Sequence, residues 1–262
     1  MNAFVDRPCP IRRLGDGTPH HFFGYYNKST WDAHGRYLLS NRVPMMTGDL
    51  DGSEVAEVGF FDLEDNDRFT VIGTTTTWNW QMGCQQQWLN TPAGQQIIYN
   101  ARATTPAGPY PDFRARVHDP ASKRDRDLPL PVYVAAPDGG YALSVNYSRF
   151  EVTHKTIGYR ATSSEPELEP APADDGIWRM DTATGEHELI VTLRQLFEHR
   201  HVPSMDRAIH WVTHLEAAPG GKRFLFIHRW TERVVDETCF LHRLYTCLLY
   251  TSDAADDYFW VW

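Results

Sequence analysis

The sequence lacks long runs with helical hydrophobic period, which excludes a helical bundle. It also lacks any stretch near the roughly 18 apolar residues of a membrane-crossing helix. Residues 1–17 carry prolines and arginines but no apolar centre of an export signal. The expectation is a cytoplasmic protein without a membrane partner. Cysteine is scarce: four residues, irregularly spaced and with no C-x-x-C, read as reduced thiols rather than a disulfide framework or zinc ribbon. Cations are outnumbered, 25 Lys and Arg against 34 Asp and Glu, and the net charge of −9 argues against nucleic acid. A local ring of cations in such a chain still suits an anion. No glycine-rich phosphate loop and no G-x-S-x-G elbow is present.

What the chain has is aromatic residues, 13% of its 262, with nine Trp and twelve Tyr. That richness favours many short strands. One pattern recurs four times: an aromatic or apolar start, a tight turn with glycine, then a β-rich run. The copies are WDAHGRYLLSNR (31–42), NTPAGQQIIYNAR (90–102), APDGGYALSVNYSR (136–149) and APGGKRFLFIHR (218–229). Gly35, Gly94, Gly139 and Gly220 are the expected equivalent turn positions, where a hairpin needs positive φ. A second hairpin with an Asp-containing turn follows the first three copies. Two hairpins per unit make a four-stranded propeller blade, so the fold class is an all-β propeller, incomplete at about three and a half blades. A β-sandwich is the alternative. The long gap before the last copy holds an acidic, proline-rich insertion (163–175) and a helix expected around 191–199.

Strand alternation carries the site. The second strands of the four units end in Asn41-Arg42, Asn100-x-Arg102, Asn146-x-x-Arg149 and His228-Arg229, expected together on one rim. The first strands begin with His20, His21, Tyr25 and Tyr26; Trp80, Gln81, Gln86 and Gln87; Tyr133; His210 and His214. Arg42, Arg102, Arg149 and Arg229 present planar forks that match carboxylates, and Gln81 and Asn146 suit sugar hydroxyls. A lone arginine more often serves a structural salt bridge, but four at equivalent positions point to an acidic oligosaccharide. His210 and His214 read as strand, where period two puts both on one face. His34, His118 and His187 read as solvated turn residues, and Cys84 as a buried thiol.

HLEAAPGGKRFLFIH (214–228), HHFFGYYNKSTWDAHGRYLL (20–39) and GIWRMDTATGE (176–186) carry a resemblance. Together they are similar to oligogalacturonate lyases, β-propeller enzymes of pectin breakdown. The resemblance implies β-elimination at a 4-linked uronate, with a base for the C5 proton and cations for the carboxylate. It maps the family's histidine base onto His214, with His21 and Tyr26 as further catalytic candidates. It also implies Mn²⁺, with most ligands expected beyond Thr246. Propeller lyases of other uronates work through His, Tyr and Arg without a catalytic metal, and Tyr25, Tyr26 and Tyr133 keep that variant open. The alternative class is a non-catalytic propeller that binds sugar or acts as a scaffold.

Residues 247–257 read CLLYTSDAADD, similar to the translation of a transposase sequencing adapter. The expected organisation is an N-terminal segment (1–19), a partial propeller (20–246) and a non-native tail (247–262). A propeller broken inside its fourth unit exposes an apolar face and a strand edge, so aggregation and inactivity are expected of such a chain.

Overall fold

A computed structural model describes residues 9–15, 17, 19–105, 108–160, 168–234, 239–249 and 260–261. The described strands form four four-stranded antiparallel sheets, each a meander in chain order, arranged as a four-bladed propeller. The first holds β1 (His20–Phe22), β2 (Tyr37–Val43), β3 (Ala56–Asp62) and β4 (Arg68–Thr75). The second holds β5 (Gln87–Thr91), β6 (Gly94–Arg102), β7 (Phe113–Asp119) and β8 (Arg124–Leu128). The third holds β9 (Val134–Ala135), β10 (Tyr141–Ser144), β11 (Gly176–Asp181) and β12 (His187–Thr192). The fourth holds β13 (Ile209–Ala217), β14 (Arg223–Thr231), β15 (Leu241–Leu248) and β16 (Trp260–Val261).

Each glycine turn joins the first two strands of its sheet, and neighbouring turns touch. Ala33 N–H donates to Gln95, Asn90 donates to the Pro137 carbonyl, and the Tyr141 hydroxyl donates to the Gly221 carbonyl. These contacts put the turns on one face. Gly35, Gly94 and Gly139 have φ of 71°, 123° and 70°, and the fourth such residue is Gly221 at 67°. The sequence places that turn on Gly220; in Pro-Gly-Gly the second glycine takes the left-handed position.

The three-and-a-half-blade expectation changes as well. β15 continues through Cys247 and Leu248, which pair with Phe224 and Arg223, and β16 adds a two-residue fourth strand against Tyr245 and Thr246. The expected helix is present as α2 (Leu193–Glu198), started by a Thr192–Gln195 capping box. A further helix, α1 (Tyr147–Thr153), interrupts the third sheet and is capped by Asn146. Of the acidic insertion, 163–167 lies outside the described residues.

Buried apolar residues fill the spaces between sheets. Leu39, Val58, Ile97 and Tyr99 pack the first sheet on the second, and Leu89, Val117, Ala142 and Met180 the second on the third. Leu143, Trp211, Leu215, Phe224 and Phe226 pack the third on the fourth. Each such side chain stabilises the fold by about 1.5–3 kcal/mol. Sheets one and four meet where the turn after β1 faces β13, and there Asn27 Nδ2 donates to Glu216 Oε2 at 2.6 Å.

Candidate active site

The asparagines that the sequence pattern places on the rim are staples of the interior. Asn41 is fully buried and donates to the Phe23 carbonyl. Asn100, also fully buried, accepts from Val132 N–H at 2.7 Å and donates to the Val132 carbonyl at 2.9 Å. Asn146 caps α1 and donates to Asp175. Arg149 donates to the backbone carbonyls of His210, Glu169 and Pro170, tying sheet three to sheet four. Arg42 pairs with Glu57 at 2.5 Å and lies over the Phe69 ring. His21 packs against Phe61 and Phe69. The structure leaves His21, Arg42, Arg149 and Asn146 in these separate places.

A different set converges between the inner strands. Tyr25 Oη and His214 Nε2 are 2.9 Å apart, though 189 positions separate them in the chain. His214 N–H donates to Tyr133 Oη at 2.8 Å, and His214 Nδ1 lies 3.0 Å from Thr213 Oγ1. The Tyr26 ring lies 4.4 Å from the Tyr25 ring, and Gln81 hydrogen-bonds toward the Tyr25 hydroxyl. Arg229 is held over the Phe240 ring at 4.4 Å, with Nη1 3.0 Å from His154 Nδ1. Its buried Nε has no hydrogen-bond partner among the described residues. Of the residues expected from sequence, His214, Tyr26, Gln81 and Arg229 are thus brought together.

Two backbone features make this meeting possible. Gly24 has φ of 138°, and a Cβ there would lie 2.6 Å from the Met82 carbonyl oxygen. Only glycine lets the segment between β1 and Tyr25 press onto the turn that carries Gln81. On the facing strand His214 has φ of 55°, at a register shift between Thr213 and Glu216. A non-glycine residue in that region is strained, and such strain is commonest at functional positions. The same break corrects the period-two expectation for β13. His210 turns into the interior, 2.8 Å from His228 Nε2, whereas His214 meets Tyr25. His228 is fully buried, not on the rim, and His118 lies in β7 with Nδ1 2.7 Å from Asp125 rather than in a solvated turn.

The electrostatics follow from burial. Desolvation, then the Arg229 charge, hold the His214 pKa at about 4, so the imidazole is neutral near pH 7. Desolvation pushes Tyr25 up to about 12, so its hydroxyl keeps its proton. A protonated phenol facing a neutral imidazole donates O–H to Nε2, which leaves the imidazole proton on Nδ1 toward Thr213. Desolvation also lowers the Arg229 pKa. The Cys84 thiol is buried and pushed to about 12, as expected of an inert core residue.

Beside this cluster lies a cavity of about 450 Å³, lined by Trp78, Trp80, Gln81, Glu151, Lys155 and Arg160 among others. The two indole rings are 4.9 Å apart, and their N–H groups are bound to the Glu54 and Gly48 carbonyls. Arg160 pairs with Glu151 at 2.8 Å. Arg102 borders the cavity, since a Cβ on its lining residue Gly52 would meet Arg102 Nη2 at 3.4 Å. Gln81 belongs to both the cavity and the Tyr25 cluster. His154, Lys155 and Arg160 were missed from sequence, although HKTIGYR crowds three basic side chains into seven positions.

Among the described residues no three His, Cys, Asp or Glu side chains gather as a metal group, and most ligands of the implied Mn²⁺ are expected beyond Thr246. No step is assigned to a metal. No described helix is long and apolar enough to cross a membrane.

No family model and no curated protein matches the chain. Solved structures similar to it include a protein from Lactobacillus plantarum, at 12% identity and a TM-score of 0.38, with 88% of this chain and 54% of that chain covered. The isopeptidase AtxE2 with bound Astexin3-dC4 is similar at 9% identity and a TM-score of 0.38, covering 87% and 44%. A puromycin-hydrolysing peptidase of Mycobacterium tuberculosis is similar at 14% identity and a TM-score of 0.29, covering 82% and 35%. The chain therefore spans about half, or less, of the length of these proteins.

Proposed function

We propose that the Tyr25–His214 pair and Arg229 form the centre of a lyase that cleaves uronate-containing oligosaccharides by β-elimination. The observation that carries this reading is the 2.9 Å contact between a protonated phenol and a neutral imidazole, both within reach of the Arg229 charge. Elimination needs those three functions. The uronate carboxylate docks on Arg229, whose charge makes the C5 proton more acidic. The C5–H bond breaks as its proton passes to the Tyr25 oxygen, and the Tyr25 proton moves to His214 Nε2. The C5 electron pair forms the new double bond, the bond from C4 to its oxygen breaks, and Tyr26 protonates the leaving oxygen. Tyr26 is 84% exposed and so regains its proton from water.

The adjoining cavity supports an acidic oligosaccharide rather than a lone sugar. Trp80 offers an apolar face for a sugar ring, and Lys155 and the bordering Arg102 offer cations for further carboxylates. Cytoplasmic location remains part of the proposal.

The test is the ultraviolet absorbance of the unsaturated uronate product during incubation with trigalacturonate. With β15 and β16 completing the fourth sheet, the wild-type chain is expected to generate it, in place of the inactivity expected of a propeller broken inside its fourth unit, and Tyr25→Phe and His214→Ala are each expected to lower the rate by about 10²–10⁴-fold, the usual contribution of a proton-transfer group. Trigalacturonate binding without absorbance, in wild type and variants alike, would instead identify a sugar-binding scaffold.

A further inference from the structure

Arg229 is held differently from other arginines of the fold. Arg42, Arg116 and Arg160 are each set by a carboxylate, from Glu57, Asp127 and Glu151. Arg229 has no carboxylate partner among the described residues, and the acids that act on it are the weak phenols of Tyr133 and Tyr25. It is set instead by the Phe240 ring, 4.4 Å away, and by His154 Nδ1, 3.0 Å from Nη1.

That contact fixes the state of the imidazole. A guanidinium can only donate, so Nδ1 presents its lone pair, the ring is neutral and its proton sits on Nε2. The backbone fixes where the ring stands. His154 caps the C-terminus of α1, its N–H donating to the Phe150 carbonyl at 2.7 Å, and its own carbonyl accepts from Ile157 N–H at 3.0 Å. The residue is buried, with its ring 5.8 Å from that of Phe240.

We propose that His154 is a positioning residue of the site, whose neutral imidazole holds the Arg229 guanidinium beside the Tyr25–His214 pair without neutralising it. A carboxylate in the same place would bind the guanidinium more strongly but cancel the charge that acts on His214. An apolar side chain would leave the charge intact but free to swing away from the pair. The imidazole avoids both faults. The groups facing His214 are Tyr25 after β1, Tyr133 before β9, Arg229 on β14 and His154 after α1, none of them a carboxylate. Glu216, two positions along β13, is bound to Asn27 and Lys28 instead. That the charge serves elimination rests on the lyase reading; the holding of the guanidinium does not.

The experiment is a proton NMR titration of the His214 imidazole in the whole chain, with tryptophan fluorescence to check that the fold persists at each pH, and trigalacturonate cleavage at pH 7 alongside. The wild-type midpoint is expected at about 4. His154→Asp pairs with Arg229 and is expected to raise it by about one pH unit or more. His154→Leu releases the guanidinium and should raise it less. His154→Asn carries an oxygen two bonds from Cβ, as Nδ1 is, and should raise it least, since it removes only the lesser direct effect of His154 on His214. In cleavage, His154→Asp and His154→Leu should each lower kcat/KM at least about tenfold, with His154→Asn within about threefold of wild type. A wild type that shows this titration pattern without cleaving trigalacturonate would support the role of His154 and count against the lyase alone. An unmoved midpoint in His154→Asp, or a shift in His154→Asn as large as in His154→Leu, would overturn the proposal.

Discussion

Desolvation and the Arg229 charge act on His214 in the same direction, and only the second can be removed by a conservative change. The folded-state pKa is depressed, so the imidazole is neutral above about 4 and is lost as a proton acceptor below it. In the free enzyme, kcat/KM should therefore fall on the acid side as pH drops through that value. Arg229→Gln removes a cation and must raise the His214 pKa toward its ordinary 6.5. The expected outcome is an acid limb moved to higher pH, together with a lower kcat/KM from the lost carboxylate contact. A limb that stays in place in the variant would dissociate Arg229 from His214. At this scale the sequence was informative about residue type and poor about direction. Tyr, His, Gln and Arg were legible as site chemistry, yet Asn41, Asn100 and Arg149 have the same pattern and spend their groups on backbone.

Strands and turns were the legible elements because their signals are local. Alternation and Pro-Asp-Gly or Pro-Gly-Gly need no distant partner to act. The bulge at His214 was not legible, since Thr-His-Leu-Glu contains no turn residue and its positive φ falls at a shift in the pairing of β13 with β14. Nor was the role of α1, whose following segment brings His154 to Arg229 and Lys155 to the indole cavity. Asn100 belongs to this scale too, for it ties the second sheet to the chain entering the third. Asn100→Ala would orphan both the N–H and one acceptor interaction of Val132 in a fully buried place. Two such losses predict a destabilisation of roughly 2–4 kcal/mol in urea unfolding. A change below about 0.5 kcal/mol, the usual size for a surface substitution, would show that the staple is dispensable.

For the whole molecule, the buried histidines set the response to acid. His210 and His228 are fully buried and 2.8 Å apart. His210 Nε2 faces the Met205 carbonyl and so carries the proton, which makes His228 the donor within the pair. Burial holds His210 at about 4 and pushes His228 well below its ordinary value. Both folded pKa values are depressed, so stability is complete above the unfolded value of about 6.5 and declines as pH falls toward 4. Each histidine contributes a slope of up to about 1.4 kcal/mol per pH unit in that window. Melting temperatures should drop steeply between pH 6 and pH 5, and His228→Leu should flatten the drop. An equally steep drop in that variant would place the acid sensitivity elsewhere.

The lyase reading makes one chemical commitment that hydrolysis cannot imitate, because elimination adds no water across the broken bond. Digestion of trigalacturonate in heavy-oxygen water, followed by mass spectrometry of the products immediately after cleavage, tests it directly. The account predicts fragments whose masses sum to that of the substrate, one of them unsaturated, with no heavy oxygen introduced by the cleavage. Saturated fragments heavier by one molecule of labelled water would contradict it and make the Tyr25–His214 pair part of a hydrolase.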